Sequence, residues 1–229
     1  MKDISMDGIL LVDKEKGMTS HDVVHHIRKR FGIKKVGHAG TLDPNATGLL
    51  VILLGGYTRR SADLMGQEKE YFAVMKFGEK TDTGDSDGKV IESFPVNVSK
   101  DDIIRVMDMF RGEIEQVPPM FSAKKHKGKK LYDLARKGIE VERPPVRVVI
   151  KEIEIVNFDI PFVEFRVVCS KGTYIRQLAD DIGQRLGCGA HLVELRRSRS
   201  GDFSVENAVS MDAIRAMDGE KLNESILRI

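Results

Sequence analysis

The 229-residue chain reads as an α+β fold: a mixed, mainly antiparallel central sheet flanked by helices. Three observations predict this. Strand-like and helix-like stretches are intermixed without the strict strand–helix–strand repeat of a parallel sheet. Val146–Val156 and Val163–Cys169 alternate apolar and polar residues like paired strands, and Pro161 lies in the link, where a missing N–H is harmless. Other stretches carry apolar residues at helical spacing between a capping residue and a glycine.

The elements follow in order. Ile9–Val12 reads as a buried strand. Thr19 and Ser20 then offer capping oxygens, Asp22 suits a first turn, and Val23, Ile27 and Phe31 recur at helical spacing before Gly32. Gly37–Gly48 is a loop rich in Gly and Thr. Gly48–Leu54 is apolar throughout, which predicts a strand covered on both faces. Glu70–Phe77 is another strand, and Asp82–Gly88 an acidic turn. A Ser99/Asp102 capping box opens a helix through Ile103, Val106, Met107 and Phe110 to Gly112. Pro118–Pro145 is strongly basic and reads as a projecting segment. Tyr174–Leu186 is a helix with Leu178, Ile182 and Leu186 in register, Thr173 placed to cap it and Gly187 to close it.

Composition sets bounds. Apolar residues at 41% allow a sizeable core, and 31% charged residues predict a well-solvated surface. Cys169 and Cys188 form no C-x-x-C pair, so no disulfide scaffold or cysteine-rich zinc site is indicated, and a reducing cytoplasm fits. Ile9–Val12 is far shorter than a signal-peptide core, and Leu49–Leu54 cannot span a bilayer. A cytoplasmic protein with no membrane association is expected.

The net charge of +2 is too small to mark a nucleic-acid binder, but its distribution is uneven. Lys124, Lys125, His126, Lys127, Lys129 and Lys130 crowd together, Arg196, Arg197 and Arg199 form a second group, and Arg28, Lys29 and Arg30 a third. Each alone is an ordinary solvated face; together they favour a polyanion, since phosphate contacts release condensed counterions. His21 and His25 share a helix face, yet no third ligand is spaced to complete a metal site, and Asp82–Gly88 lacks the ligand pattern of a calcium loop. In Gly37-His38-Ala39-Gly40-Thr41-Leu42-Asp43-Pro44, the proline biases Asp43 to an extended or turn conformation. Asp43 then reads either as a helix cap with Pro44 at the first helical position or as a carboxylate held in a stiff loop. In Ser170–Arg176, Tyr174 offers a ring that can stack on a base and Arg176 a guanidinium that can hold a carboxylate.

From about Gly8 to Met211 these pieces resemble the TruB family, the bacterial tRNA pseudouridine synthases that act on the T loop. The resemblance is carried by Gly8–Gly17, GHAGTLDPNATGLL (Gly37–Leu50), KEYFAVMKFG (Lys69–Gly78), TDTGDSDG (Thr81–Gly88), Gln116–Val141, CSKGTYIRQLADDIG (Cys169–Gly183) and LGCGAHLVELRR (Leu186–Arg197). It implies a pseudouridine synthase catalytic fold over residues 1–229. Asp43 matches the family's essential aspartate, and Arg176 the arginine that pairs with it. Tyr71 matches the tyrosine that stacks on the target base; Tyr174 and Leu195 match residues lining the uridine pocket. His38 matches the histidine that fills the space left by the flipped base. Gln116–Val146 matches an RNA-clamping insertion, which places Lys124, Lys125, Lys127, Lys129 and Lys130 on RNA. Lys14, Arg59 and Arg196 are expected there too.

The partner implied is the T-arm stem-loop of tRNA, with no cofactor, metal or obligate protein partner, and a monomer. Three departures stand out. The family's K-P-x-G reads Lys14-Glu15-Lys16-Gly17, Arg59 stands where lysine is common, and the end at Ile229 leaves little chain for the usual C-terminal PUA-type domain. Two rival readings are a guide-RNA-dependent, dyskerin-like synthase and a non-catalytic tRNA chaperone.

Overall fold

The computed structural model describes residues 6–122, 124–126 and 128–229, so Lys127 lies outside the described residues. The chain opens with β1 (Gly8–Lys14), α1 (Ser20–Phe31), β2 (Val36–His38), β3 (Thr47–Leu54), α2 (Ser61–Met65) and β4 (Lys69–Phe77). It continues with β5 (Glu79–Thr81), β6 (Val90–Ser93), α3 (Lys100–Asp108), β7 (Gly112–Gln116), β8 (Lys125–His126), β9 (Lys129–Lys130) and α4 (Leu131–Ala135). It closes with β10 (Val146–Asp159), β11 (Phe162–Cys169), α5 (Ile175–Leu186), β12 (Ala190–Ser200), β13 (Phe203–Ser204), β14 (Val209–Ser210), α6 (Met211–Ala216) and α7 (Gly219–Glu224). The fold is α+β with mixed, mainly antiparallel strand pairing, as predicted. Two compact units divide the chain: Met1–Tyr71 with Leu195–Ile229, and Phe72–Glu194.

In the first unit the strand order is β14-β1-β3-β12. β1 and β3 pair antiparallel from Gly8 opposite Leu54 to Lys14 opposite Gly48, while β12 runs parallel to β3 with Arg197 opposite Gly48. β3 has a strand on each edge, and its consecutive side chains are buried, so both faces are covered; this explains its continuous apolar sequence. Ile9, Leu11, Leu49, Val51 and Leu53 form a core with Ala39 and Leu64. α1 begins with a complete capping box: Thr19 Oγ1 accepts from Asp22 N–H at 3.1 Å, and Thr19 N–H donates to Asp22 Oδ2 at 2.8 Å. Gly32 ends α1 in the left-handed conformation. The basic run in its last turn serves the scaffold in part, since Arg28 and Arg30 donate to the carbonyls of Val36 and Met217.

In the second unit the order is β4-β11-β10-β7. β10 and β11 are the antiparallel pair that the alternation predicts, running from Ile150 opposite Cys169 to Asp159 opposite Phe162. α3 has the Ser99/Asp102 capping box and packs against α5 and β10. It ends at Asp108, short of the expected stop. Gly112 instead takes φ +90° and turns the chain into β7, a strand not foreseen. β7 pairs with β10 so that Gln116 lies opposite Val146. The two ends of the insertion, which contains the basic segment, are therefore strand partners. Within it, β8 and β9 form a short hairpin before α4.

Candidate active site

The loop after β2 carries Asp43, and three side chains from the first unit hold its backbone. Arg197, on β12 and 1% exposed, donates from Nη2 to Gly40 O at 3.1 Å and from Nε to Leu49 O at 2.7 Å. Ser20, in the first turn of α1, contacts both peptide groups of Leu42: its hydroxyl accepts from Leu42 N–H at 2.8 Å and donates to Leu42 O at 3.1 Å. Lys14 Nζ donates to Pro44 O at 3.1 Å, to Met18 O at 2.8 Å and to Glu15 O at 2.9 Å. Carbonyls 40, 42 and 44 are thus each taken by a side chain, and Leu42 and Ala46 sink into the core on either side of Asp43. A side chain at Gly48 would place its Cβ 2.3 Å from Arg197 O, and φ there is +95°, so only glycine lets β3 and β12 approach at this point.

These contacts decide between the two readings of Asp43 and correct the expectation for Lys14. Asp43 caps no helix; its carbonyl accepts from Ala46 N–H in a turn. Lys14 is not on an RNA-facing surface: it is fully buried and bonded by three carbonyls. An ammonium can replace its hydration shell with such carbonyls, which makes the residue part of the scaffold. Burial pulls its pKa down to about 8, and Asp43 is the strongest of the charges that oppose this. Arg197, one of a presumed surface cluster, is also buried, because two core carbonyls need a donor there.

His38 ends β2. Burial first, then the charges of Arg197 and His21, lower its pKa, so the imidazole is neutral at pH 7. Its Nδ1 is buried without a hydrogen-bond partner among the described residues. Tyr71 is buried on β4, and Leu195 is half-buried on β12. Arg59 is exposed in a 3-10 turn (Gly55–Arg60). Arg196 forms a bidentate pair with Asp13 at 3.0 and 2.8 Å, with its side chain 45% exposed.

In the second unit Tyr174 and Arg176 sit at the start of α5. Tyr174 occupies the capping position. Thr173, expected to cap, instead donates to Ser170 O at 2.9 Å. Arg176 is buried and held at its head: Nη1 donates to Thr83 O at 3.1 Å, Nη2 to Phe121 O at 2.8 Å, and Asp85 Oδ2 lies 3.2 Å from Nη1. Asp85 is itself fixed, accepting from Thr83 Oγ1 at 2.6 Å and Asp87 N–H at 3.2 Å. The acidic turn, which fails as a calcium loop, is thus an arginine anchor. Sequence reasoning missed Asp85 because its partner is distant in the chain.

In the basic segment Lys129 is exposed and Lys124 half-buried, while Lys125 and Lys130 are placed by the hairpin backbone alone. Arg136 and Lys137 extend this charge. Arg136 lies 4.6 Å from the Tyr132 ring centroid, and with Lys129 these residues line a cavity of about 640 Å³.

A family model described as TruB family pseudouridylate synthase, N-terminal domain, matches residues 28–175. The chain belongs to the TruB family. A second model, tRNA pseudouridylate synthase B C-terminal domain, matches residues 176–228 of this TruB-family chain. A tRNA pseudouridine synthase B of Protochlamydia amoebophila is 48% identical over 97% of this chain and 84% of its own. One of Geotalea uraniireducens is 52% identical over 93% and 70%. A chain of the solved Cbf5-Nop10-Gar1 complex is 32% identical with a TM-score of 0.76, covering 98% of this chain. The TruB-family chain spans 61% of that chain's length. As a pseudouridine synthase it is an isomerase.

Proposed function

We propose that the chain converts uridine to pseudouridine at position 55 in the T loop of tRNA, with Asp43 as its reacting carboxylate. The observation that carries this reading is the 48% identity, over 97% of the chain, to a relative named tRNA pseudouridine synthase B. In the reaction the N1–C1′ bond breaks, uracil rotates, and C5 joins C1′; the C5 proton leaves and N1 gains one. A carboxylate can serve as nucleophile or base, and an arginine partner favours its charged form. We assign that partnership to Arg176, following the resemblance.

The target base must leave the stack at a cost of a few kcal/mol. Stacking on Tyr71 offsets about 1–3 kcal/mol of it, and the neutral His38 ring fills the space vacated. Tyr174 and Leu195 line the pocket. The segment from Gln116 to Val146 clamps RNA through Lys124, Lys129 and their neighbours, and Arg59 is also assigned to RNA; the exposure of Lys129 and of Arg59 supports this. The protein works in the cytoplasm, as a monomer.

The test is tritium release from tRNA labelled at uracil C5. Free tRNA should release tritium with no added protein or guide, and Asp43→Asn should reduce the rate at least about 1000-fold, as loss of an essential nucleophile or base does. Undiminished release by Asp43→Asn would sink the catalytic assignment. The likeness to the Cbf5 chain favours a second reading, a guide-dependent synthase; release only with an added guide RNA would select it. Tight tRNA binding without release would select a chaperone.

A further inference from the structure

Gln116 is the last residue of β7, the first of the Gln116–Val146 insertion, and 1% exposed. Its amide meets one residue twice. Nε2 donates to Tyr174 O at 3.1 Å, and Oε1 accepts from Tyr174 N–H at 2.8 Å. A neighbouring strand makes this exchange with its backbone; here a single side chain makes it. Tyr174 occupies the capping position of α5, and its own side chain makes no capping bond. A few residues beyond Gln116, Phe121 O receives Arg176 Nη2. Positions 116 and 121, at the root of the basic segment, thereby hold positions 174 and 176. That root is closed by the pairing of Gln116 with Val146, and the charged groups Lys124, Lys129 and Arg136 follow directly.

We propose that Gln116 is a positioning residue for the isomerisation: its amide fixes the backbone of Tyr174 and the start of α5, and ties the RNA-clamping segment to Arg176. Gripping RNA with that segment then sets the geometry of Tyr174, which lines the uridine pocket, and of Arg176, the partner assigned to Asp43. The inference rests on the function proposed above. Few side chains satisfy the requirement, which is one acceptor and one donor in a plane at this reach. Asparagine is one methylene short. Leucine fills the space, leaves the Tyr174 N–H unpaired and leaves its carbonyl with the Leu178 N–H alone. An ionised glutamate has no donor for Tyr174 O. A protonated glutamic acid has the amide's shape: its carbonyl accepts from the N–H and its O–H donates to the carbonyl.

The experiment measures tritium release from C5-labelled tRNA and, separately, filter binding of the same tRNA. Gln116→Leu should lower kcat about 10- to 100-fold, the scale of one or two buried bonds lost, with tRNA affinity within about threefold, as expected when phosphate contacts are intact. Gln116→Glu should be comparably slow at pH 8 and recover toward the wild-type rate near pH ~5.5, because burial raises a carboxyl's pKa and restores the donor. The exposed neighbour Glu115→Gln should match wild type at both pH values. Wild-type kcat in Gln116→Leu would overturn the proposal. So would a loss in Gln116→Glu that tracks melting temperature and shows no recovery in acid; that variant also decides the matter if Gln116→Leu does not fold. Absence of release by the wild-type protein would overturn the function itself, a failure visible before any Gln116 variant is tested.

Discussion

The loop carrying Asp43 and the turn carrying Arg176 are held by opposite kinds of contact. In the loop, side chains reach in from β12, α1 and β1 and donate to the carbonyls of Gly40, Leu42 and Pro44. At α5 the direction reverses: the Arg176 side chain reaches out to the carbonyls of Thr83 and Phe121 and to Asp85. The first arrangement fixes where a backbone lies; the second fixes where a charge lies. Substituting a holder of the loop displaces a carboxylate without touching it, whereas substituting a holder of Arg176 leaves a buried cation short of a partner.

The largest effect should come from the Arg176 side. Asp85→Ala takes one carboxylate from a guanidinium 5% exposed, and breaking a buried ion pair costs about 3–5 kcal/mol. Urea unfolding should show it, together with a collapse of tritium release. Equal stability in the variant would mean that Asp85 contributes nothing to holding Arg176. In the loop, Arg197→Met leaves the Gly40 and Leu49 carbonyls unpaired and should cost about 2 kcal/mol or more. A more stable variant would mean that burying the charge outweighs its bonds. Ser20→Ala frees both Leu42 groups and should cost about 1–2 kcal/mol and slow turnover about tenfold, while tRNA binding persists. A Ser20→Thr protein that turns over no faster than Ser20→Ala would show that the hydroxyl is not what holds the loop.

The smallest effect is on pH dependence. The Lys14 pKa is lowered to about 8 in the folded protein, from 10.5. Between those values the unfolded chain binds more protons, so stability should rise with pH across this window. Activity should move the other way, because loss of the proton removes a donor from the Pro44 carbonyl and a positive charge facing Asp43. A pH–rate profile should show an alkaline fall near 8 that disappears in Lys14→Met. The same fall persisting in that variant would assign it to another group.

The two regions also differ in how far sequence could reach them. Local signals were legible: a capping oxygen at Thr19 or Ser20, the capping box at Ser99/Asp102, the stop at Gly32, and the alternation of β10 against β11 each depend on residues close in the chain. β12 was not legible, since Arg196, Arg197 and Arg199 give it the look of a charged surface; its second half is a strand that pairs with β3 and β13, and Arg197 can be buried there because two carbonyls receive it. Lys14 misled for the same reason, a charge whose partners are backbone groups and leave no mark in the sequence. Asp85 and Gln116 act on residues far along the chain, and nothing in their spacing reveals the partner.

Arg197 has a consequence for chain length. A guanidinium that touches peptide groups on both sides of the Asp43 loop is, in polymer terms, a cross-link, and it sets the contour that must fit between Gly40 and Leu49. An added residue there has to bulge against a clamp of fixed span, beside a glycine with no room for even a methyl group. Between Gly128 and Gly138 the chain is largely exposed, and a side chain at either glycine would meet nothing within 4 Å. One stretch of this protein is measured to the residue; the other can lengthen at little cost, since closing a longer loop adds only about 0.6 kcal/mol per doubling.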